Sequence, residues 1–168
     1  MIDSFKYLPR LIALFYQNQE IEKSQTIPWT SFRSPIKQAR FTIITSAGIY
    51  LKESQSPFDL QREQKEPTWG DPSLRIIPSS TKPEALAISH LHINPKTILT
   101  DINVVFPLQR MAQLAEQSII SGLSQHCFSV MGYQGFPPNT TTWREQTAPQ
   151  IIEILQQEGA HGALLTPA

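Results

Sequence analysis

Apolar residues first recur at three- and four-residue steps at Phe5, Leu8, Ile12 and Phe15. This is the spacing of one helix face and predicts a helix over residues 5–18. Pro9 is tolerated only in a first turn, so it obscures where that helix begins. A polar, proline-containing stretch leads to Gln38, and the pattern then changes. Ala39-Arg-Phe-Thr-Ile-Ile-Thr45 is short, mostly apolar and β-branched, as a strand is, and Ser46-Ala-Gly48 supplies its turn.

Residues 51–83 form a long polar excursion with Pro57, Pro67, Pro72, Pro78 and Pro83. Within it Trp69-Gly-Asp-Pro72 reads as a turn, and Leu74-Arg-Ile-Ile77 as a brief edge strand. So long a connection within one domain often carries function. Ala85-Leu-Ala-Ile-Ser89 reads as a second main strand ending at His90 and His92. The apolar run Asn103-Val-Val-Phe106 precedes Pro107, which suits a first helical turn. Leu108, Met111, Leu114 and Ala115 then make one stripe of a helix near 108–118. Cys127-Phe-Ser-Val-Met131 is the third strand. Thr142 with Glu145 three residues on has the form of a capping box for a helix near 144–157. That helix buries Ile151, Ile152, Ile154 and Leu155, and Ala163-Leu-Leu-Thr166 is the last strand.

Helices alternating with short apolar strands predict an α/β fold. The expected sheet is parallel or mixed with flanking helices, flavodoxin- or Rossmann-like, and incomplete at its C-terminal end. Residues 1–39 read as an N-terminal helix and linker, and 40–168 as the α/β domain. Composition narrows the function classes. Fourteen Lys and Arg balance fourteen Asp and Glu, which leaves no broad field to attract nucleic acid or an anionic membrane. No apolar run has the length of a membrane span. The start carries Asp3 and Arg10 without a small-residue cleavage site, a poor secretory signal. The lone Cys127 excludes an intrachain disulfide, and a cytoplasmic location is expected.

In such a sheet the ligand site lies beyond the carboxyl ends of the strands. The rule gathers Thr45, Ser46, His90, His92, Asp101, Tyr133 and Thr166. Two apart in an extended segment, His90 and His92 point to one side. From spacing alone they read either as a base, donor or ligand pair near neutral pH, with Asp101 orienting one ring, or as two hydrogen-bonded loop histidines. A metal site lacks a third ligand, HExxH and a cysteine pair. Thr45-Ser46 before Gly48 offers hydroxyls and N–H groups to an anion or forms an ordinary turn. GxGxxG and GKS/T are absent, so no cofactor is expected. Cys127, inside a strand, reads as a buried apolar residue.

Several segments together resemble a known family. They are Thr45-Ser-Ala-Gly48, Trp69-Gly-Asp-Pro-Ser-Leu-Arg-Ile-Ile-Pro78, Ile88-Ser-His-Leu-His92, Asp101-Ile-Asn-Val-Val-Phe-Pro107, His126-Cys-Phe-Ser-Val-Met-Gly-Tyr133 and Gly162-Ala-Leu-Leu-Thr-Pro167. In order and spacing they are similar to the glycine/sarcosine/betaine/D-proline reductase selenoprotein B family, with the short proline-reductase-like members the nearer in size. The resemblance implies reductive cleavage of a carbon–nitrogen bond in an amino acid or N-methylated amine. A selenolate or thiolate attacks the α-carbon, a thiol pair regenerates it, and partner subunits, some with a pyruvoyl group, activate the substrate. It also implies a small amino-acid or betaine-like ligand at His90 and His92.

In that family the Leu-Leu-Thr-Pro strand runs into the selenocysteine or cysteine, whereas this sequence stops at Ala168. Two expectations follow from this departure. One is a reductase subunit recorded without its redox nucleophile, as when a UGA codon is read as a stop. The other is a non-catalytic binding or interaction module on the same scaffold. Expected partners are reductase subunits or a second copy of the chain.

Overall fold

The computed structural model describes Arg10, Leu14, residues 29–93 and residues 95–168. The helix expected over 5–18 lies outside the described residues except at Arg10 and Leu14, which are helical and exposed. Residues Met1–Phe32 and Arg33–Ala168 are separate units, and the second holds every strand and helix discussed below.

The main sheet is built around β1 (Arg40–Thr45), whose alternate apolar and threonine side chains include the fully buried Thr42, Ile43 and Thr45. Along one edge β1 pairs in parallel with β7 (Gly162–Thr166) from Phe41 to Thr45. Along the other it pairs in parallel first with β5 (Gly122–Leu123) and then with β6 (His126–Ser129). Arg40 faces Gly122 but Ile44 faces Phe128, so β5 and β6 are one strand broken by two extra residues, Ser124 and Gln125. β3 (Arg75–Pro78) closes this side antiparallel to β6. The fold is therefore α/β with a mixed sheet and flanking helices, as the alternation of elements predicts.

The segment expected as the second main strand lies elsewhere. β4 (Leu86–Ile88) pairs antiparallel with β2 (Ile49–Leu51) in a separate two-stranded sheet. The physical reason is the turn at Gly48, whose φ of 66° sends the chain back against Ser89. Backbone bonds from Ser89 N–H to the Gly48 carbonyl and from Gly48 N–H to the Val130 carbonyl then fix both sheets to one corner. The apolar run Asn103–Phe106 leads as an irregular segment into the helix at Leu108–Glu116. It forms a single 3-10 turn (Ile102–Val104) that delivers Val105 and Phe106 into the core.

The flanking helices described in this unit are α1 (Leu60–Lys65), α2 (Pro95–Thr100), α3 (Leu108–Glu116) and α4 (Ala148–Gln157). Leu108 and Met111 of α3 join Ile43, Ile77, Phe106 and Cys127 in the core. The capping box at Thr142 does not form. Thr142 is already helical, at φ −60° and ψ −38°, and its side chain makes no cap bond. An N-cap needs non-helical angles. A widened π turn (Trp143–Thr147) leads into α4 instead.

Among the described residues β7 pairs with β1 alone. Its neighbours Leu164 and Leu165 point to opposite faces and are 38% and 67% exposed. An apolar edge strand of this kind recruits other chains. Light scattering over a dilution series should show association rising with concentration, and Leu165→Lys should weaken it by roughly fivefold or more. A chain that stays monomeric throughout would contradict this.

Candidate functional site: a histidine pair held by a buried glutamate

Beyond Ile88 the chain leaves the strand, and the two histidines separate in environment. His90 turns inward and is half-buried, while the His92 side chain remains 52% exposed. The common face expected of an extended segment is lost because residues 91–93 bend. The rings meet edge to face, with centroids 5.9 Å apart. The His92 backbone N–H donates to Nδ1 of His90 at 3.0 Å. Neutral His90 therefore carries its proton on Nε2, which is buried and has no hydrogen-bond partner among the described residues. Burial, followed by repulsion from His92, lowers the His90 pKa to about 4, so this ring is neutral near pH 7.

The group that orients His92 is Glu63, which the sequence reading did not single out. Asp59 starts α1 by accepting from the Arg62 N–H at 2.9 Å, and the helix then turns Glu63 inward with its side chain 1% exposed. Glu63 Oε1 lies 2.9 Å from Nε2 of His92, and its Oε2 is buried without a hydrogen-bond partner among the described residues. Desolvation raises the Glu63 pKa, the His92 hydrogen bond and charge oppose that rise, and nearby Asp71 adds to it. With Glu63 ionised, His92 donates from Nε2, which leaves Nδ1 as the ring's acceptor. One face of the His92 ring lies against Tyr133, with centroids 4.5 Å apart. The Tyr133 hydroxyl donates to the Pro67 carbonyl.

Asp101 is not part of this cluster. Its carboxylate accepts from the backbone N–H and side-chain amide of Asn103 and lies 3.9 Å from Arg110. Those Asn103 bonds lower its pKa. It lines a different cavity, about 400 Å³, with Lys52, Glu84 and Gln109. The expectation that Asp101 orients an imidazole is corrected in favour of Glu63. Thr45 is fully buried, donating to the Val105 carbonyl at 2.8 Å and accepting from the Ala47 N–H. Ser46 Oγ accepts from the Ala168 N–H, and Thr166 Oγ1 reaches back to the Ile44 carbonyl. These three occupy the carboxyl ends of β1 and β7. They reach the Tyr133 segment through the Gly132 N–H, which donates to the Ser46 carbonyl. Beside Ser89, a shallow cavity of about 490 Å³ runs along residues 56–61.

Cys127 is fully buried between β3 and β1, and desolvation raises its pKa. Among the described residues no group of three or more His, Cys, Asp or Glu could hold a metal ion, and no helix is long and apolar enough to cross a membrane.

The chain is 29% identical over 138 residues to D-proline reductase subunit gamma of Acetoanaerobium sticklandii, 82% of this chain and 52% of that relative. It thus spans about half the length of the curated relative it matches. A match of that extent includes residues 31–138 wherever it begins, and so covers Glu63, His90, His92 and Tyr133. No family model matches the chain, and no solved structure matches it.

Proposed function

We propose that this chain is an amino-acid-reductase-related subunit of the D-proline reductase kind, whose histidine site receives a small amino-acid or betaine-like substrate. The observation that carries this reading is the likeness to the gamma subunit across the segment that builds the Glu63–His92–Tyr133 cluster. Residues 40–168 would be the selenoprotein-B-like α/β domain of a cytoplasmic assembly with further reductase subunits. Thr45, Ser46, Tyr133 and Thr166 would shape the strand-end rim, and Asp101 a neighbouring subsite.

In the reaction so assigned, a selenolate or thiolate attacks the substrate's α-carbon and the carbon–nitrogen bond breaks. The electron pair leaves with nitrogen, which takes up a proton as the free amine. A second thiol attacks the selenium or sulfur and releases the carbon, which takes a proton. The resulting selenenylsulfide or disulfide is then reduced by an external thiol pair, which becomes a disulfide. Neither nucleophile is Cys127, the sole and buried thiol of this chain. The reductant and the reactive selenol or thiol come from outside these residues, and turnover by the chain alone is expected to be zero.

The test is calorimetric titration with D-proline, glycine, sarcosine and betaine. The parent should bind at least one of them, and the H90A/H92A double variant should bind it at least about tenfold more weakly, the loss expected from removing hydrogen bonds to a charged ligand. Equal binding by the two proteins, or none by the parent to the whole panel, would overturn the reading.

A further inference from the structure

Resting on that reading, the geometry of the cluster distinguishes the two ends of a zwitterionic ligand. The guanidinium of Arg62 is engaged by Glu66 and lies over Trp69. That of Arg75 is spent on the Ser56, Leu74 and Pro57 carbonyls and on Ser73 Oγ, with its carbon over Phe58. Lys65 stands two positions beyond Glu63, on the other side of α1. Within the described Glu63–His92–Tyr133 cluster the group that can carry a positive charge toward a ligand is the imidazole of His92. Its Nε2 is fixed on Glu63, so the proton it gains sits on Nδ1, on a side chain that is 52% exposed.

We propose that His92 is the carboxylate anchor of the site, taking up a proton as the ligand binds so that its imidazolium lies between the ligand's carboxylate at Nδ1–H and Glu63 at Nε2–H. The charge count favours this. With neutral His92 a bound carboxylate would add a second negative charge beside Glu63, whereas a protonated ring separates and screens the two. Glu63 gains as well, because a desolvated carboxylate with one oxygen unpartnered among the described residues is stabilised by a full positive charge on His92. The other groups facing His92 do not replace it. His90 stays neutral and offers at most an N–H, and Tyr133 contributes its ring face. Asp71, behind Glu63, is held by the Asp59 and Ser73 N–H groups and by Ser73 Oγ. The ligand class is a small carboxylate, and Glu63 is a positioning residue acting through His92.

The experiment compares three ring compounds on the full chain: D-proline, cyclopentanecarboxylate, which lacks the nitrogen, and pyrrolidine, which lacks the carboxylate. D-Proline and cyclopentanecarboxylate should bind, and pyrrolidine should bind roughly tenfold to a hundredfold more weakly. Binding of both carboxylates should weaken as pH rises, because it takes up a proton. Calorimetry in buffers of different ionisation enthalpy should show proton uptake. Glu63→Gln, with its fold checked by circular dichroism, should reduce both the uptake and the pH dependence. His92→Gln, at a half-exposed position, should abolish both. Pyrrolidine binding as well as D-proline while cyclopentanecarboxylate does not would overturn the anchor and leave the substrate-site reading standing. If none of the three compounds nor any amine of the earlier panel binds, that reading falls, and the anchor with it. An unchanged pH profile in Glu63→Gln would remove Glu63 from the mechanism.

Discussion

Cys127 should react with iodoacetamide roughly a thousandfold more slowly in the native chain than in guanidinium-unfolded chain. Alkylation needs an exposed thiolate, and the native state withholds both conditions. The side chain is fully buried, opposite Ile77 of β3, with Thr42 and Ile43 of β1 against its sulfur. Burial raises its pKa. Reaction must wait for an opening of the central strands, which in a domain of ordinary stability costs about 5 kcal/mol or more and gives the factor above. The measurement is a time course of alkylation read by mass spectrometry with and without denaturant. Comparable rates would show that this thiol is accessible and would reopen it as a redox nucleophile. Turnover of D-proline by the chain alone, surviving in Cys127→Ser, would contradict the expectation that the redox nucleophile lies outside these residues.

Gly70→Ala should destabilise the chain by about 3 kcal/mol, at the upper end of what overpacking costs, and should loosen the site as well. A Cβ at this position would lie 2.3 Å from the Tyr133 carbonyl oxygen and 2.4 Å from Cα of Gln134. Both are backbone atoms, so no side chain can swing away. The 69–71 segment and the 133–134 segment would have to part. That parting would strain the bonds from Gln134 Nε2 to the Asp71 and Met131 carbonyls and shift Tyr133 off the His92 ring. Urea unfolding should show the midpoint fall, and ligand binding should weaken in parallel at temperatures where the variant is still folded. A variant with parental stability would show that these segments are not in close contact.

Both experiments concern contacts that lie far apart in sequence, which is where the limit of reading the chain by pattern falls. Pattern placed β1, β6, α3 and the body of α4, each of which buries side chains of its own local repeat, and it placed β7 by its short apolar run although none of its side chains is fully buried. Turn chemistry located Gly48, whose positive φ is a local demand. It did not show that this turn would send Leu86–Ile88 into a separate sheet, since strand pairing depends on which edge is near. Thr142 met the sequence pattern of a cap but was already helical in the chain, so the pattern did not determine its angles.

At the site, His90 and His92 were legible as candidates because two imidazoles at a strand end are uncommon enough to notice. Their partner was not. Glu63 sits 29 residues before His92, in a polar stretch that resembles solvated loop, and Asp101 was nearer in sequence and equally acidic. Only the folding of the 51–83 excursion, with Asp59 starting α1, buries that carboxylate against His92. The sequence by itself determined the α/β class, the inert strand position of the sole thiol and the pair of histidines, because each follows from local period or residue chemistry. The tertiary structure alone decided which histidine is the more exposed, which carboxylate holds it and which strands pair, because burial and long-range pairing are properties of the packed chain and not of any segment within it.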